Sequence, residues 1–184
     1  WDGYRVIATI AGGDVDLRSR NGNDLTDRFA SVAKALPAAI ATPDAVLDGE
    51  VCALDATGAA RFDSLQRGDD RLVFVAFDLL ERDGRPLVDE PLDRRRKELE
   101  ETVRGDPAVL VSPAFDDGEA LLAAVKAEGT EGVVAKRRTA PYRVGRRSSG
   151  WLKLKVARRQ EFVVVGWTSG EGMRAGGIGA LVLA

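Results

Sequence analysis

The chain has 184 residues, of which 45% are hydrophobic and 30% charged, and its formal net charge is −2 at pH 7. This balance is ordinary for a soluble globular protein, and no run approaches the roughly 18 apolar residues that a membrane span needs. The sequence has no histidine, which excludes Ser-His-Asp and Cys-His nucleophile schemes and leaves carboxylates, lysines, arginines and a hard metal ion such as Mg²⁺ to do any chemistry.

Short apolar segments of strand length dominate the chain. Tyr4–Ile10 and Val15–Arg18 flank Ala11-Gly12-Gly13-Asp14, a turn sequence that predicts a hairpin. Further strands are predicted at Val46–Leu54, Leu72–Leu80, Gly132–Lys136, Trp151–Val156 and Phe162–Trp167. The single cysteine, Cys52, is expected to be a buried thiol, and the composition suits a reducing cytoplasm.

Three helices are predicted between these strands, so the expected fold class is α+β. The first rests on an apolar stripe at helical spacing that stops at Pro37 and is formed by Leu25, Phe29, Val32 and Leu36. The second, Asp93–Val103, is expected to bury Leu99 and Val103 and to leave Arg94-Arg95-Arg96-Lys97 as solvated surface. The third, Glu119–Glu128, should end at Gly129 and bury Leu121, Ala124 and Val125.

The last segment, residues 161–184, differs from the rest because two apolar strands flank a glycine-rich stretch. A phosphate-binding loop would have to lead into a helix, but Ile178–Leu183 has the pattern of a strand. A hairpin is therefore predicted. Two strands cannot bury a core alone, so we expect this hairpin to be the start of a second domain.

Positive charge is concentrated near the end of the chain. The segment from Lys136 to Arg159 contains ten basic and no acidic residues, whereas the remainder contains 17 basic and 29 acidic residues. A basic segment on an acidic body suggests a surface that faces phosphates, and the alternative is a solvated basic face.

Charged residues are embedded in several of the predicted strands. Asp48 and Glu50 should share one face of a strand, with Gly49 leaving room for close approach, and two such carboxylates need a cation or a sugar hydroxyl. Phe77 is either a core residue or a platform for a base. Lys153 and Lys155 should project together about 7 Å apart, which suits a phosphate, while Leu152 and Leu154 face the core; a solvated edge strand is the alternative.

The order of these segments resembles the collinear motifs of the covalent nucleotidyltransferases, which include ATP-dependent DNA ligases, RNA ligases and mRNA capping enzymes. The motifs are Asp2-Gly3-Tyr4-Arg5, Ser19-Arg20-Asn21-Gly22, Asp48-Gly49-Glu50, Phe77-Asp78, Glu131-Gly132-Val133-Val134-Ala135-Lys136 and Trp151-Leu152-Lys153-Leu154-Lys155. The sequence around the last two motifs looks most like that of bacterial ATP-dependent DNA ligases of the end-joining type. The resemblance implies a nucleotidyltransferase (ATP-grasp-like) adenylation domain over residues 1–160, with mixed, mainly antiparallel sheets and flanking helices. Residues 161–184 resemble the truncated start of an OB-fold.

The resemblance also implies a role for individual residues. Glu50 would contact the ribose of ATP, Phe77 would stack on adenine, and Glu131 with Asp48 would hold Mg²⁺ or Mn²⁺. Arg5 and Arg20 would serve the nucleotide or the 5′-phosphate of a nick. Lys136, Lys153 and Lys155 would bind the phosphates. Together with Arg5, they would also be the catalytic residues that stabilise charge during the reaction. Duplex phosphates would be bound by Arg137, Arg138, Arg143, Arg146 and Arg147.

One departure concerns the first motif, whose family pattern is Lys-x-Asp-Gly. Trp1 stands at x, so the lysine that would carry the covalent AMP is not in this sequence. With that lysine, the implied activity is sealing of nicked duplex DNA by a monomeric enzyme in the cytoplasm, at the nucleoid, alongside end-joining repair proteins. The alternatives are an RNA ligase, a capping guanylyltransferase, or a nucleotide- and DNA-binding fragment without catalysis.

Overall fold

The structure is a computed structural model that describes residues 1–58, 60, 65, 71–128, 131–146, 148–156 and 161–184. The predicted DNA contact Arg147 and the predicted helix end Gly129 lie outside these residues. The strands are β1 (Tyr4–Ala11), β2 (Asp14–Ser19), β3 (Asp44–Leu54), β4 (Arg71–Arg82), β5 (Arg85–Pro86), β6 (Val109–Val111), β7 (Gly132–Lys136), β8 (Trp151–Lys155), β9 (Val164–Ser169) and β10 (Ile178–Leu183). The helices are α1 (Ala30–Ala39), α2 (Leu92–Thr102) and α3 (Gly118–Glu128), with a 3₁₀ turn at Gly172–Arg174.

A six-stranded sheet forms the centre of the molecule. Its strand order is β2-β1-β3-β4-β5, with antiparallel neighbours, and β6 pairs with β4 in parallel. The predicted β1–β2 hairpin is confirmed, and its turn uses Gly12 and Gly13 at φ of 57° and 100°, where only glycine is unstrained. The α+β class with mainly antiparallel sheets is confirmed as well.

Both faces of this sheet carry buried apolar side chains. The larger cluster joins strand residues such as Leu47 and Leu79 to the helix residues Leu36 and Leu99. The smaller cluster contains Cys52, Leu54, Val73 and Val75. Cys52 is fully buried, as predicted, and burial raises the pKa of its thiol to about 12. The sheet is therefore held from two sides.

Helix α1 differs from its predicted boundaries at both ends. It runs from Ala30 to Ala39 and includes Pro37, which was expected to end it. Because Pro37 lies in the last turn, the helix forgoes one backbone hydrogen bond there and continues. Leu25 and Phe29 belong to the preceding turn, where the Phe29 N–H donates to the Leu25 carbonyl over 3.0 Å.

The predictions for α2 and α3 were partly wrong. Leu99 is buried and Val103 half-buried, but Arg95 is also fully buried, so the basic run is not simply solvated surface. Arg95 follows Leu92 by three residues and precedes Leu99 by four, which places it on the inward face of the helix. In α3, Leu121 and Val125 are half-buried as predicted, whereas Ala124 is exposed.

Two small antiparallel sheets follow, β7–β8 and β9–β10. The predicted hairpin around the glycine-rich stretch is confirmed by the β9–β10 pairing. Leu152 and Leu154 do not face a core, since 57% and 44% of their surfaces are exposed and no described element buries that side of β8. None of the helices in the described part of the chain is long and apolar enough to cross a membrane.

Candidate functional site

Neighbouring strands of the central sheet bring charged side chains together. Arg5 on β1 lies directly opposite Glu50 on β3, and Asp48 shares the Glu50 face because side chains alternate along a strand. Gly49 between them has a different purpose from the one predicted. A Cβ there would lie 2.4 Å from the Phe74 ring, so its missing side chain makes room for the core and not for a ligand.

A β-bulge places Phe77 next to these residues. Asp78 pairs with Asp48 and Ala76 pairs with Gly49, which leaves Phe77 as an extra residue on β4. A bulge bends its strand and redirects side chains. The Phe77 ring is half-buried, in contrast to the fully buried core rings, and it meets side chains from the second sheet.

Side chains of the β7–β8 sheet face Arg5 and Phe77. We call the space bounded by Arg5, Phe77, Lys136 and Trp151 the cleft, with the β7–β8 sheet as one wall and the central sheet as the other. Lys136 and Trp151 are cross-strand partners, and the Trp151 ring meets Phe77 edge-on, with centroids 6.1 Å apart. The Lys136 ammonium lies 4.3 Å from the Phe77 centroid and 4.0 Å from the Trp151 centroid. Such contacts stabilise a cation against aromatic faces. The cleft is therefore aromatic and cationic.

Lys136 carries the most perturbed amine of the cleft. Burial penalises its charged form and lowers its pKa from 10.5 to about 8, although Asp78 and Asp48 act in the opposite direction. Its ammonium is therefore partly neutral just above physiological pH.

Arg5 is held by a buried carboxylate and a phenol. Its Nε and Nη2 donate to the two carboxylate oxygens of Asp48 over 3.0 and 2.6 Å. The Tyr142 hydroxyl donates to Asp48 Oδ2 over 2.8 Å and accepts from Arg5 Nη2 over 3.2 Å. The Arg5 guanidinium lies 5.8 Å from the Phe77 centroid and 5.7 Å from that of Trp151. Because Asp48 and Tyr142 engage Nε and Nη2, Nη1 is the Arg5 nitrogen that has no hydrogen bond to another described residue and can donate to a ligand beside these rings.

Comparison with known proteins identifies the family to which the chain belongs. The family model of the ATP-dependent DNA ligase domain matches residues 1–155, which include every side chain of the cleft. The chain belongs to this family. The ligase domain is 43% identical over its full length to the multifunctional non-homologous end joining protein LigD of Mycolicibacterium smegmatis, and 41% identical over 99% of its length to that of Pseudomonas aeruginosa.

Solved structures give the same assignment. The ligase domain superimposes over its full length on mycobacterial DNA ligase D complexed with ATP and MES, with a TM-score of 0.75 and 39% identity, and covers 59% of that chain. On the ligase domain of Mycobacterium tuberculosis LigD the TM-score is 0.72, with 38% identity and 60% of that chain covered. The chain spans 24% and 22% of the two curated LigD proteins. The expected adenylation-domain fold is thus confirmed.

Three of the predicted phosphate and metal residues of the ligase domain form their own cluster. Lys153 Nζ lies 3.0 Å from both carboxylate oxygens of Glu131, and Lys155 Nζ lies 3.4 Å from one of them. The hydrogen bond from Lys153 is the main cause of a lowered pKa of Glu131. All three side chains are at least half exposed, so both ammonium groups remain accessible to an anion.

The predicted metal pair is not brought together. Asp48 is fully buried and both of its oxygens bind Arg5, whereas Glu131 binds Lys153 and Lys155. Over the described ranges no group of three or more acidic or cysteine side chains could hold a metal ion. The arrangement does not fit a cation shared by these two carboxylates.

Glu50 and Arg20 were predicted to bind the nucleotide. Glu50 lies on the Arg5 face of β3, and burial raises the pKa of its carboxyl. Arg20 is exposed in the turn after β2 and forms no hydrogen bond or ion pair with another described residue. Glu50 thus belongs to the cleft, and Arg20 is free to contact a ligand from outside it.

The predicted DNA-binding arginines differ in their surroundings. Arg137, Arg143 and Arg146 are exposed. Arg138 instead donates to Asp93 over 2.9 and 3.0 Å and to Asp116 over 2.9 Å. Its guanidinium is therefore neutralised by two carboxylates, unlike the other described members of this set.

Two interactions around the cleft were missed in the sequence. Tyr142 lies within the basic segment from Lys136 to Arg159, and no role was predicted for it. No local sequence pattern indicates its contact with Asp48, which is 94 residues away. Asp78 binds the buried Arg95 through two hydrogen bonds of 2.7 and 2.9 Å. The position of Arg95 on the leucine face of α2 was the available signal for the second interaction.

Proposed function

We propose that this ligase domain binds ATP in the cleft between Phe77 and Trp151 and seals nicks in duplex DNA through a lysine–AMP intermediate. The observation that carries the proposal is the aromatic and cationic cleft of Arg5, Phe77, Lys136 and Trp151. It lies in a chain of the ATP-dependent DNA ligase domain family. Aromatic rings suit a base, and the cations suit its phosphates.

ATP binding requires the Lys136 ammonium to move. This ammonium lies 4.3 Å from the Phe77 centroid, where a stacked adenine would lie. An adenine that replaces it offers the ring a planar surface, and the displaced lysine can follow the phosphates. Glu50 would accept hydrogen bonds from the ribose, and Arg5 opposite it would bind the sugar or the phosphate next to it.

The chemistry consists of three phosphoryl transfers. A lysine directly before Trp1 attacks the α-phosphate of ATP and releases pyrophosphate. The AMP then passes to a DNA 5′-phosphate, and the 3′-hydroxyl displaces AMP. A lysine attacks only as the neutral amine, and nearby positive charge favours that form. Lys136, Lys153 and Lys155 supply this charge and also stabilise the charge on the transferring phosphates.

Mg²⁺ or Mn²⁺ has a limited place in this proposal. Such a cation would accompany the ATP phosphates, with the exposed Glu131 as the available carboxylate. Asp48 is fully occupied by Arg5 and Tyr142. We therefore assign no step to the metal.

DNA would bind along the exposed arginines that follow β7. Arg137, Arg143 and Arg146 can contact backbone phosphates in a salt-dependent and sequence-independent manner. The similarity to LigD proteins supports a role with end-joining repair proteins. We further propose that the protein acts as a monomer, at the nucleoid in the cytoplasm. The hairpin β9–β10 would begin an OB-fold domain.

Nucleotide and strand specificity test the proposal. A version of the protein with a lysine directly before Trp1 is incubated with labelled ATP or GTP and with nicked DNA or nicked RNA. Label transfer from ATP and sealing of DNA are expected. Transfer from GTP would indicate a guanylyltransferase, sealing of RNA alone would indicate an RNA ligase, and binding without label transfer would indicate a non-catalytic module.

A further inference from the structure

The segment between β7 and β8 is fixed to the start of α2. The backbone N–H groups of Leu92 and Asp93, which a helix start leaves without partners, donate to the carbonyls of Ala140 and Arg138 over 3.1 and 3.0 Å. The buried Arg95 donates to the Ala140 carbonyl over 3.1 Å. Because Arg95 is itself bound to Asp78, the segment is tied to the central sheet.

Tyr142 lies at the end of this fixed segment. Its backbone N–H donates to the Val88 carbonyl over 2.8 Å, and its ring meets Trp151 edge-on at 5.8 Å. Backbone and ring are therefore both constrained. The hydroxyl is directed at Asp48 and Arg5, where it is donor to one and acceptor to the other.

The hydrogen bonds define which donors of Arg5 remain. Asp48 takes Nε and one hydrogen of Nη2, and the Tyr142 hydroxyl takes the other. Nη1 has no hydrogen bond to any other residue that the structure describes. Without the hydroxyl, the second hydrogen of Nη2 would be free, and Nη2 would compete with Nη1 for a ligand.

We propose that Tyr142 is a positioning residue that strengthens the Arg5–Asp48 pair and occupies the second hydrogen of Nη2, so that Nη1 is the Arg5 donor left for the nucleotide. This inference rests on the proposed function, since it assigns Arg5 to ATP. The hydroxyl acts through Arg5 and touches neither base nor phosphate. In this way Tyr142, which lies 94 residues after Asp48 in the sequence, influences the position of Arg5 in the first motif.

A double-mutant cycle tests this role, because residues that act through one another are not additive. ATP dissociation constants are measured by tryptophan fluorescence for the protein, Tyr142→Phe, Arg5→Gln and the double variant. Tyr142→Phe is expected to weaken ATP binding roughly tenfold, as loss of a hydrogen bond to a charged group does. In the Arg5→Gln background the same change is expected to have no effect. A merely structural tyrosine would weaken binding equally in both backgrounds.

Matched controls separate the possible failures. Thermal unfolding monitors the fold of each variant. Arg5→Lys replaces Arg5→Gln if that variant does not fold. Equal ATP affinity of the protein and Tyr142→Phe, or equal losses in both backgrounds, would overturn the positioning role alone. Absence of ATP binding to the unchanged protein would overturn the proposed function, and this inference with it.

Discussion

The two walls of the cleft are built very differently. The wall formed by the central sheet rests on fully buried side chains such as Leu47, Phe74 and Leu79. The wall formed by β7–β8 and the hairpin after it leave apolar side chains exposed, including Leu152 at 57% and Trp167 at 68%. Fixed groups such as Arg5 therefore come from the central sheet, whereas Lys136, Lys153 and Lys155 come from strands that bury few apolar side chains.

This division suits phosphoryl transfer. Catalysis of this kind depends on positioning and on charge that is already in place. Arg5 is locked by Asp48 and Tyr142, so it can set the position of the nucleotide. Lys153 and Lys155 are at least half exposed and can follow the phosphates as the reaction proceeds, whereas Lys136 must first leave the aromatic rings.

The largest expected effect concerns the buried ion pair below the cleft. Arg95→Met leaves Asp78 as a buried charge without its partner and should lower the free energy of unfolding by about 3–5 kcal/mol. Arg94→Met is the matched control on the same helix, because Arg94 is 56% exposed and makes surface ion pairs worth less than about 1 kcal/mol. Urea denaturation measures both. Equal losses would show that the central sheet does not depend on this pair.

A second pair of variants compares the two walls directly. Leu79→Ala removes a fully buried side chain and should cost about 2–5 kcal/mol. Leu154→Ala removes one that is 44% exposed and should cost less than about 1 kcal/mol. Both are measured by chemical denaturation. A large loss for Leu154→Ala would mean that β8 is packed against something, and the contrast between the walls would be wrong.

The smallest expected effect is on the pH dependence of ATP binding. The pKa of Lys136 is about 8, so its side chain is charged below that pH. Because a bound phosphate favours the charged form, the contribution of Lys136 to ATP affinity is present at low pH. ATP affinity should therefore fall several-fold as the pH rises through that value. Lys136→Arg retains its charge and should show a flatter profile by isothermal titration calorimetry. Identical profiles would mean that Lys136 does not bind the phosphates.

Much of the central sheet could be predicted from local patterns. Short apolar runs of strand length predicted β1 to β4, and the turn at Gly12 and Gly13 predicted the first hairpin. Pro37 was misleading because α1 continues past it by two residues, to Ala39, even though proline has no N–H to donate. Leu152 and Leu154 alternate like core residues, but the alternation cannot show whether another element covers them.

The candidate site was harder to predict because its residues act through long-range contacts. The motifs indicated Arg5, Phe77 and Lys136, and the structure places these three side chains in one cleft. The Tyr142–Asp48 contact depends on how the strands pack, which no local pattern encodes. The spacing of Leu92, Arg95 and Leu99 places Arg95 on the inward face of α2, but it does not identify Asp78 as the partner. Their discovery required the fold.

The covalent step is the central claim, and intact-mass spectrometry tests it most directly. Protein carrying a lysine directly before Trp1 is incubated with ATP and Mg²⁺, beside a version with arginine in that place. The account predicts a gain of one AMP on the lysine protein and none on the arginine protein. No adduct on the lysine protein, or an adduct that persists with arginine, would contradict it.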